Sequence, residues 1–423
     1  MSFEKSLLSH LTTPESVARA NDLGLRSNAF EDPTNQQVFE FIIKYWQDNA
    51  LKEVPPETVL EHEFPAYKPE PGEESLTWLV GTLQKRITRN GLEDAMLAAS
   101  EDLEADPLVA ATNLSNAVWA IKESTAPRFN RVEMSENTEE RKQRYVDRVA
   151  SGDLDMGMTY GLDEIDEHTG GVQAGELSII VAATGVGKSF KLTHAAYQAR
   201  AKGFTPIIFT LEQSIEEFED RIDCWASGVG YGLVSRGKMN PSQHQQHMKG
   251  MDELADLGKI YIESPERGQR GVVDLVNRAR QVGADYIIID QLSHMDARPS
   301  RYQISATEKN SEIIFDLKDE INRESSGRIP CLMAVQFNRE ASASIKVGEK
   351  PELRQIANSS DIERTVDSAF SLYRTAEMRA NKTMVFDTMK ARRSDTEAWL
   401  LGWELNKVSQ ITVRGIYEPE PAG

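Results

Sequence analysis

The sequence predicts an α/β protein, a mainly parallel sheet flanked by helices, with a separate all-α domain at its N-terminus. Three observations predict it. From Tyr160 onward, short apolar β-prone runs alternate with helical patterns, as parallel sheets covered by helices do. One run, Leu177–Val181, leads straight into the small-residue turn Ala182-Ala183-Thr184-Gly185-Val186-Gly187-Lys188-Ser189 and then a helical pattern from Phe190 to Lys202. Strand, glycine-bearing loop and helix in that order form a phosphate-cradling P-loop. Residues 1–125, by contrast, read as mostly helical.

The helical part is read from apolar spacing. Val38, Phe39, Phe41, Ile42 and Trp46 recur at near-helical intervals within 36–49, and 76–87, 91–105 and 107–121 behave similarly. Turns fall at Asp32-Pro33, Pro55-Pro56 and Pro69–Gly72. Residues 126–158 read as a linker carrying a charged helix over 135–149, whose apolar positions are Tyr145, Val146 and Val149. That helix covers its own domain or docks on a neighbouring subunit. The α/β domain occupies 159–416, and an acidic, proline-bearing tail follows over 417–423. Its strands are expected at 177–181, 206–211, 260–263, 286–290, 330–335 and 368–373, with a closing hairpin of 384–390 and 397–405.

Composition sets limits. A chain of 423 residues calls for two or three domains. No apolar run reaches the roughly 18–20 residues of a membrane-spanning helix, so no membrane role is expected. Cys224 and Cys331 stand far apart in apolar surroundings. They form no metal cluster or disulfide framework, which points to a reducing cytoplasm. The net charge of −19 argues against broad non-specific nucleic-acid binding, yet it leaves room for a narrow basic stripe inside an assembly.

Five groups carry chemistry. In the P-loop, backbone N–H groups of Ala183, Thr184, Gly185, Val186 and Gly187, together with Lys188, Ser189 and Phe190 at the helix start, face phosphates. Lys188 reaches the β- and γ-phosphates, and Ser189 offers a hydroxyl to Mg²⁺. Ala182 departs from the motif, which has glycine there. Asp290, at the tip of the run Tyr286–Asp290, stands at the ligand edge of a parallel sheet, where it holds Mg²⁺ through water. Glu212 ends the run Ile207–Glu212, where a carboxylate polarises the attacking water or merely favours the positive end of the next helix. Arg221 in that helix pairs with an acidic neighbour or is solvated. Gln336, ending Cys331–Gln336, senses a phosphate or is satisfied by backbone. Lys390 and Arg392 share one strand face and so call for anions, such as a nucleotide on an adjacent subunit; an exposed basic turn is the plainer reading. Arg298, Arg301, Lys346, Lys350 and Arg354 lie in loops after two of the strands and are candidate nucleic-acid contacts.

Together these residues resemble the DnaB family of replicative DNA helicases over nearly the whole chain. Thr159-Tyr-Gly-Leu-Asp-Glu-Ile-Asp166 and Gly170–Ala183 are similar to the family's lead-in to a P-loop whose first glycine is often alanine. Phe209-Thr-Leu-Glu212 with Arg221 resembles its catalytic-glutamate motif. Asp290-Gln-Leu resembles its Asp-Tyr-Leu-Gln box, with Gln291 and Ser293 as departures. Val335-Gln-Phe-Asn-Arg339 resembles its sensor. Glu352-Leu-Arg354 and Asp361-Ile-Glu-Arg364 resemble the start and end of its DNA-binding loop, more widely spaced here. Lys390-Ala-Arg392 resembles the Lys-x-Arg that acts in trans. Residues 4–11 and 28–41 resemble its helical N-terminal domain.

The resemblance implies a RecA-like ATPase core and a homohexameric ring with ATP and Mg²⁺ bound between subunits. Lys188, Ser189, Glu212, Asp290 and Gln336 come from one subunit, and Lys390 and Arg392 from the next. The ring would move 5′ to 3′ on single-stranded DNA and unwind duplex at the replication fork, with a primase and a helicase loader as partners. Its setting would be the cytoplasm of a bacterium or a phage-infected host, and the short, divergent chain suits a phage-encoded version. The missing Cys-x-x-Cys pairs exclude a fused zinc-ribbon primase. Two rival readings stand beside it: a RecA-like recombinase or signalling ATPase, and an ATP-binding assembly or loader ring that unwinds nothing.

Overall fold

The structure, a computed structural model, describes residues 2–418 apart from 126–133, 135–136, 152–156, 299–304, 324–325, 347–349 and 357–359. The chain divides into two compact units, Met1–Tyr145 and Val146–Gly423.

The first unit is helical: α1 (Phe3–His10), α2 (Pro14–Asp22), α3 (Pro33–Asp48), α4 (Glu57–Glu63), α5 (Leu76–Asp102) and α6 (Pro107–Thr125), followed by α7 (Thr138–Ser151), which crosses the boundary between the units. Side-chain caps start α2, α3 and α5. Thr13 and Ser16 form a capping box, Asp32 accepts from the N–H groups of Thr34 and Asn35, and Ser75 accepts from Trp78 N–H, so donors with no intrahelical partner are satisfied. Buried Leu7, Val17, Val38, Phe39, Ile42, Leu79 and Leu83 make one core. Beside it the Glu4 carboxylate, 4% exposed, accepts from Glu31 N–H and the Asn35 amide, each at 2.8 Å, and from Arg86. The two helices expected over 76–87 and 91–105 are a single helix, α5. Gly91 does not break it; a Cβ there would lie 3.0 Å from Ile121 of α6, so the glycine admits the close approach of the neighbouring helix.

Among its described residues the second unit holds a nine-stranded sheet: β1 (Leu177–Ala182), β2 (Pro206–Thr210), β3 (Tyr261–Glu263), β4 (Tyr286–Asp290), β5 (Cys331–Gln336), β6 (Ser368–Tyr373), β7 (Thr383–Lys390), β8 (Ala398–Trp403) and β9 (Ile411–Ile416). The order is β3-β2-β4-β5-β1-β6-β7-β8-β9. The first six strands in that order are parallel, and β7 to β9 form an antiparallel extension. The expected closing hairpin is therefore a three-stranded meander, because Ile411–Ile416 pairs with β8. The helices are α8 (Asp163–Thr169), α9 (Lys188–Ala201), α10 (Ile215–Ser227), α11 (Tyr231–Val234), α12 (Pro241–Leu257), α13 (Val272–Gln281), α14 (Ala306–Ile321), α15 (Arg339–Lys346), α16 (Ser360–Thr365) and α17 (Ala376–Ala380).

Alternation along the strands separates two cores. Leu177, Ile179, Val181, Ile287, Ile289, Met333 and Val335 pack with residues of α13 and α14. Ile180, Ala182, Ile208, Ile288, Leu332 and Ala334 pack with residues of α9 and α10 on the other face. Burial on both faces is why these strands read as unbroken apolar runs. Among the described residues no helix is long and apolar enough to cross a membrane.

Candidate active site

The ordering of β1 and α9 sets the site. β1 lies between β5 and β6 and ends at Ala182; the loop 183–187 turns, and α9 begins at Lys188. Gly185 and Gly187 take left-handed φ values of 73° and 120°, which side chains disfavour. A Cβ on Gly187 would also come 2.7 Å from the Trp403 ring, so glycine is required there on two grounds. Ala182 needs no such freedom. It is still in the strand, opposite Gln336, and its methyl is fully buried in the α9-side core. The first loop position tolerates a Cβ because it is a strand residue.

Lys188 is buried and turns back to donate to the Ala182 carbonyl at 3.0 Å. Burial pulls its pKa down to about 8 against the opposing pull of Asp290 and Glu212. Ser189 donates to Oδ2 of Asp290 at 2.6 Å. Asp290 is 2% exposed at the tip of β4. Burial raises its pKa, while the Ser189 hydroxyl and the Lys188 ammonium lower it. A hydroxyl and a carboxylate, both hard oxygen donors, fit Mg²⁺. Among the described residues no group of three or more His, Cys, Asp or Glu could hold a metal, so an ion at this point depends on water and phosphate for its remaining ligands.

Glu212 is not the last strand residue, as expected from its apolar run. β2 ends at Thr210, and Glu212 lies in the turn before α10. That turn is held by Leu211 N–H donating to the Asp290 carbonyl at 2.8 Å and by Thr210 Oγ1 donating to the Gln213 carbonyl at 2.7 Å. The carboxylate is exposed and 3.9 Å from His294 Nε2. Gln336 ends β5 in register with Ala182. Lys188, Ser189, Glu212, Asp290 and Gln336 thus stand along one edge, where the parallel strands end. Arg221 is not solvated: 6% exposed, it lies 3.7 Å from Glu217 and against the rings of Phe190, Phe218 and Tyr231.

Lys390 and Arg392 are elsewhere. β7 runs antiparallel to β6, and Lys390 pairs with Ala369 near the start of β6. Both cations therefore lie at the edge where the parallel strands begin, a strand length of about 17 Å from their own P-loop. Lys390 donates to the carbonyls of Glu363 (2.6 Å) and Val366 (2.7 Å), and Arg392 meets Asp367 at 2.6 Å. Arg392 lies beyond the end of β7, so the expected sharing of a strand face is replaced by a shared anchor.

The candidate nucleic-acid residues follow β4 and β5 in the chain. Arg298 is exposed and pairs with Asp316 at 2.7 Å. Lys350 pairs with Asp387 of β7 at 2.8 Å. Lys346 ends α15 and Arg354 lies in the short 3₁₀ turn Leu353–Gln355; their side chains, and Arg301, fall outside the described residues. Sequence reasoning missed Arg374, just past β6 at the P-loop edge. It is partly buried, with Nε lacking a hydrogen-bond partner among the described residues, and burial lowers its pKa. It also missed Trp403 and Asp367, for which no local pattern exists. A cavity of about 540 Å³ lined by Phe204, Arg280, Asp285 and Pro330 lies at the edge where β4 and β5 begin, away from these groups.

The profile of the DnaB-like helicase C terminal domain matches residues 157–410. This chain belongs to that family. The DnaB-like match takes in the P-loop, Glu212, Asp290 and the Lys390/Arg392 pair. Among curated relatives, the replicative DNA helicase DnaB of Geobacillus stearothermophilus is 26% identical over 262 residues, 62% of this chain and 54% of the relative. The DnaB-like replicative helicase of Enterobacteria phage T4 is 21% identical over 237 residues, 54% of this chain and 48% of the relative. The chain thus spans about half the length of the curated relatives it matches. A solved DnaB-like replicative helicase, described with its interactions with primase, superposes with a TM-score of 0.69 at 16% identity, covering 97% of this chain and 98% of that one. A second solved structure, an isolated ATPase domain, gives a TM-score of 0.57 at 17% identity, covering 67% of this chain and 99% of that one. At those identities the likeness is one of fold: a RecA-like core preceded by a helical N-terminal region.

Proposed function

We propose that this chain is an ATP-hydrolysing replicative DNA helicase. It assembles as a homohexameric ring, moves 5′ to 3′ on single-stranded DNA and unwinds the duplex at the fork. The observation that carries the reading is the separation of the two halves of the site. Lys188, Ser189, Asp290 and Glu212 gather at one sheet edge, while Lys390 and Arg392 sit at the opposite edge, out of reach of the same phosphates. A ring brings one subunit's second edge to the next subunit's first.

In that arrangement the loop N–H groups of 183–187 and the start of α9 bind the phosphates of ATP. Lys188 leaves the Ala182 carbonyl for the β- and γ-phosphates. Ser189 and Asp290 would hold Mg²⁺, which would supply neutralisation of phosphate charge. Glu212 accepts the proton of the attacking water, Gln336 hydrogen-bonds the γ-phosphate, and Lys390 and Arg392 of the neighbouring subunit stabilise the charge that develops. The segments carrying Arg298, Arg301, Lys346 and Arg354 follow β4 and β5 in the chain and are assigned to the channel, whereas Lys350 is committed to Asp387 of its own subunit. Concentrating cations there reconciles DNA binding with a net charge of −19. A closed ring needs a loader to pass a strand inside, and a primase is the other expected partner. The setting is the cytoplasm of a bacterium or a phage-infected host.

The test is unwinding of forked DNA. Activity is expected to need ATP and a 5′ single-stranded tail, and to vanish in Lys188→Ala. A protein that hydrolyses ATP, forms filaments and exchanges strands without unwinding would sink the helicase reading.

A further inference from the structure

The Asp367 carboxylate is 3% exposed and fully engaged. Oδ2 accepts from Leu177 N–H at 2.9 Å and from Lys318 of α14 at 2.5 Å; Oδ1 accepts from Arg392 Nη1 at 2.6 Å. Two of these bonds fix the carboxylate to the frame, because Leu177 begins the very strand that ends in the P-loop. The third holds a guanidinium whose side chain is 68% exposed. Arg392 is therefore held at Nη1 while most of its side chain stays exposed. Lys390 is held alongside. Its ammonium donates to the carbonyls of Glu363, Arg364 and Val366, which close the last turn of α16 and lead into Asp367. Carbonyls at a helix C-terminus lack intrahelical partners and favour a cation. The segment 363–367 thus seats both cations.

We propose that Asp367, with the C-terminal carbonyls of α16, is the seat that aims Lys390 and Arg392 at the phosphates bound by a neighbouring subunit. Asp367 is then a positioning residue for hydrolysis in the next site. This rests on the shared-site reading above. It adds that the aim is set by one buried carboxylate tied to the P-loop strand of its own subunit, so that the end of one site is braced on the beginning of another. Removing the charge of Asp367 frees Arg392 to wander, and misplacement of a reacting group by about 1 Å can cost up to about 100-fold.

The experiment is a double-mutant cycle on the full-length assembled protein, reading kcat and KM for ATP. Asp367→Asn is expected to lower kcat roughly tenfold with KM within about twofold, because each subunit's own phosphate grip is untouched. In a Lys390→Ala/Arg392→Ala background the same change is expected to lower kcat no further, since nothing is left to aim. Equal fold-losses in both backgrounds would make Asp367 a general structural residue and overturn the proposal, as would an unchanged or raised kcat in Asp367→Asn. If Asp367→Asn does not assemble, Asp367→Glu is read in the same cycle with the same outcomes. A wild-type kcat in Lys390→Ala/Arg392→Ala would overturn the shared-site reading itself, which keeps the two failures apart.

Discussion

Ser189 and Asp290, 101 residues apart in sequence, are joined by a hydrogen bond of 2.6 Å. The helix that follows the P-loop and the tip of β4 are thereby closed on each other at the point where hard oxygen ligands are wanted. The bond is made in spite of a cost, because burial disfavours the Asp290 charge and raises its pKa.

Asp290→Asn should separate stability from turnover. At neutral pH a buried charge is removed, so the thermal midpoint without nucleotide is expected to stay level or rise, while ATP turnover falls on the order of 100-fold. The rise is fully present above the raised carboxyl pKa of the folded state. It shrinks as the pH falls into the ordinary carboxylate range, where the group is protonated folded and unfolded alike. A lower midpoint at pH 7 would contradict the assignment of burial as the dominant cause.

Ala182→Gly is expected to restore the usual motif and gain nothing. The residue is buried in β1 with ordinary strand geometry, so glycine adds backbone freedom to the unfolded chain and removes a packed methyl, at about 1 kcal/mol. Turnover should be unchanged and the thermal midpoint lower by a few degrees. A faster enzyme would mean that the Cβ restricts the loop.

Lys191, one turn into α9, is fully buried. It donates to the Tyr160 carbonyl, lies 5.2 Å from the Phe386 ring centroid, and is pulled down to about 7 by burial, with Asp166 opposing. A lysine whose folded pKa is lowered costs stability below that pKa, and the cost disappears as the pH rises to the unfolded value near 10.4. Lys191→Met should therefore be more stable than the parent at pH 7, by up to a few kcal/mol, and similar to it near pH 10. Thermal midpoints of the pair at both pH values test this; a gap that widens with pH would refute it.

Lys350 meets Asp387, which is 1% exposed, in the same subunit. Removing the lysine leaves that carboxylate buried without its cation. Lys350→Gln is expected to lower folding stability by about 1–2 kcal/mol after allowing for the half-exposed ammonium, read as a lower thermal midpoint. The slope of log DNA affinity against log salt should stay unchanged. A slope reduced by about one would return Lys350 to phosphate contact.

Legibility differed between residues for physical reasons. Leu177–Ser189 is a local structure, since an apolar strand, two left-handed glycines and a helix start are all specified within thirteen residues. The buried strands were legible for the same reason, because burial on both faces leaves unbroken apolar runs. Glu212 was placed at a strand end because apolar character continues through Leu211. The strand stops at Thr210, where the backbone bonds to Asp290 and its own turn instead. Ile411–Ile416, outside the expected strands, pairs with β8.

Short-range spacing was therefore enough for the α/β class, the all-α N-terminal region, the P-loop and the residue types that can bind phosphate and a divalent ion. The folded sheet was needed for the rest: that Ser189 meets Asp290, that Lys390 and Arg392 share a seat on 363–367, and that this seat lies across the sheet from the P-loop. Each of these depends on strand order and direction. Antiparallel pairing of β7 with β6 sends Lys390 to the far edge, and no local pattern in the chain encodes that reversal.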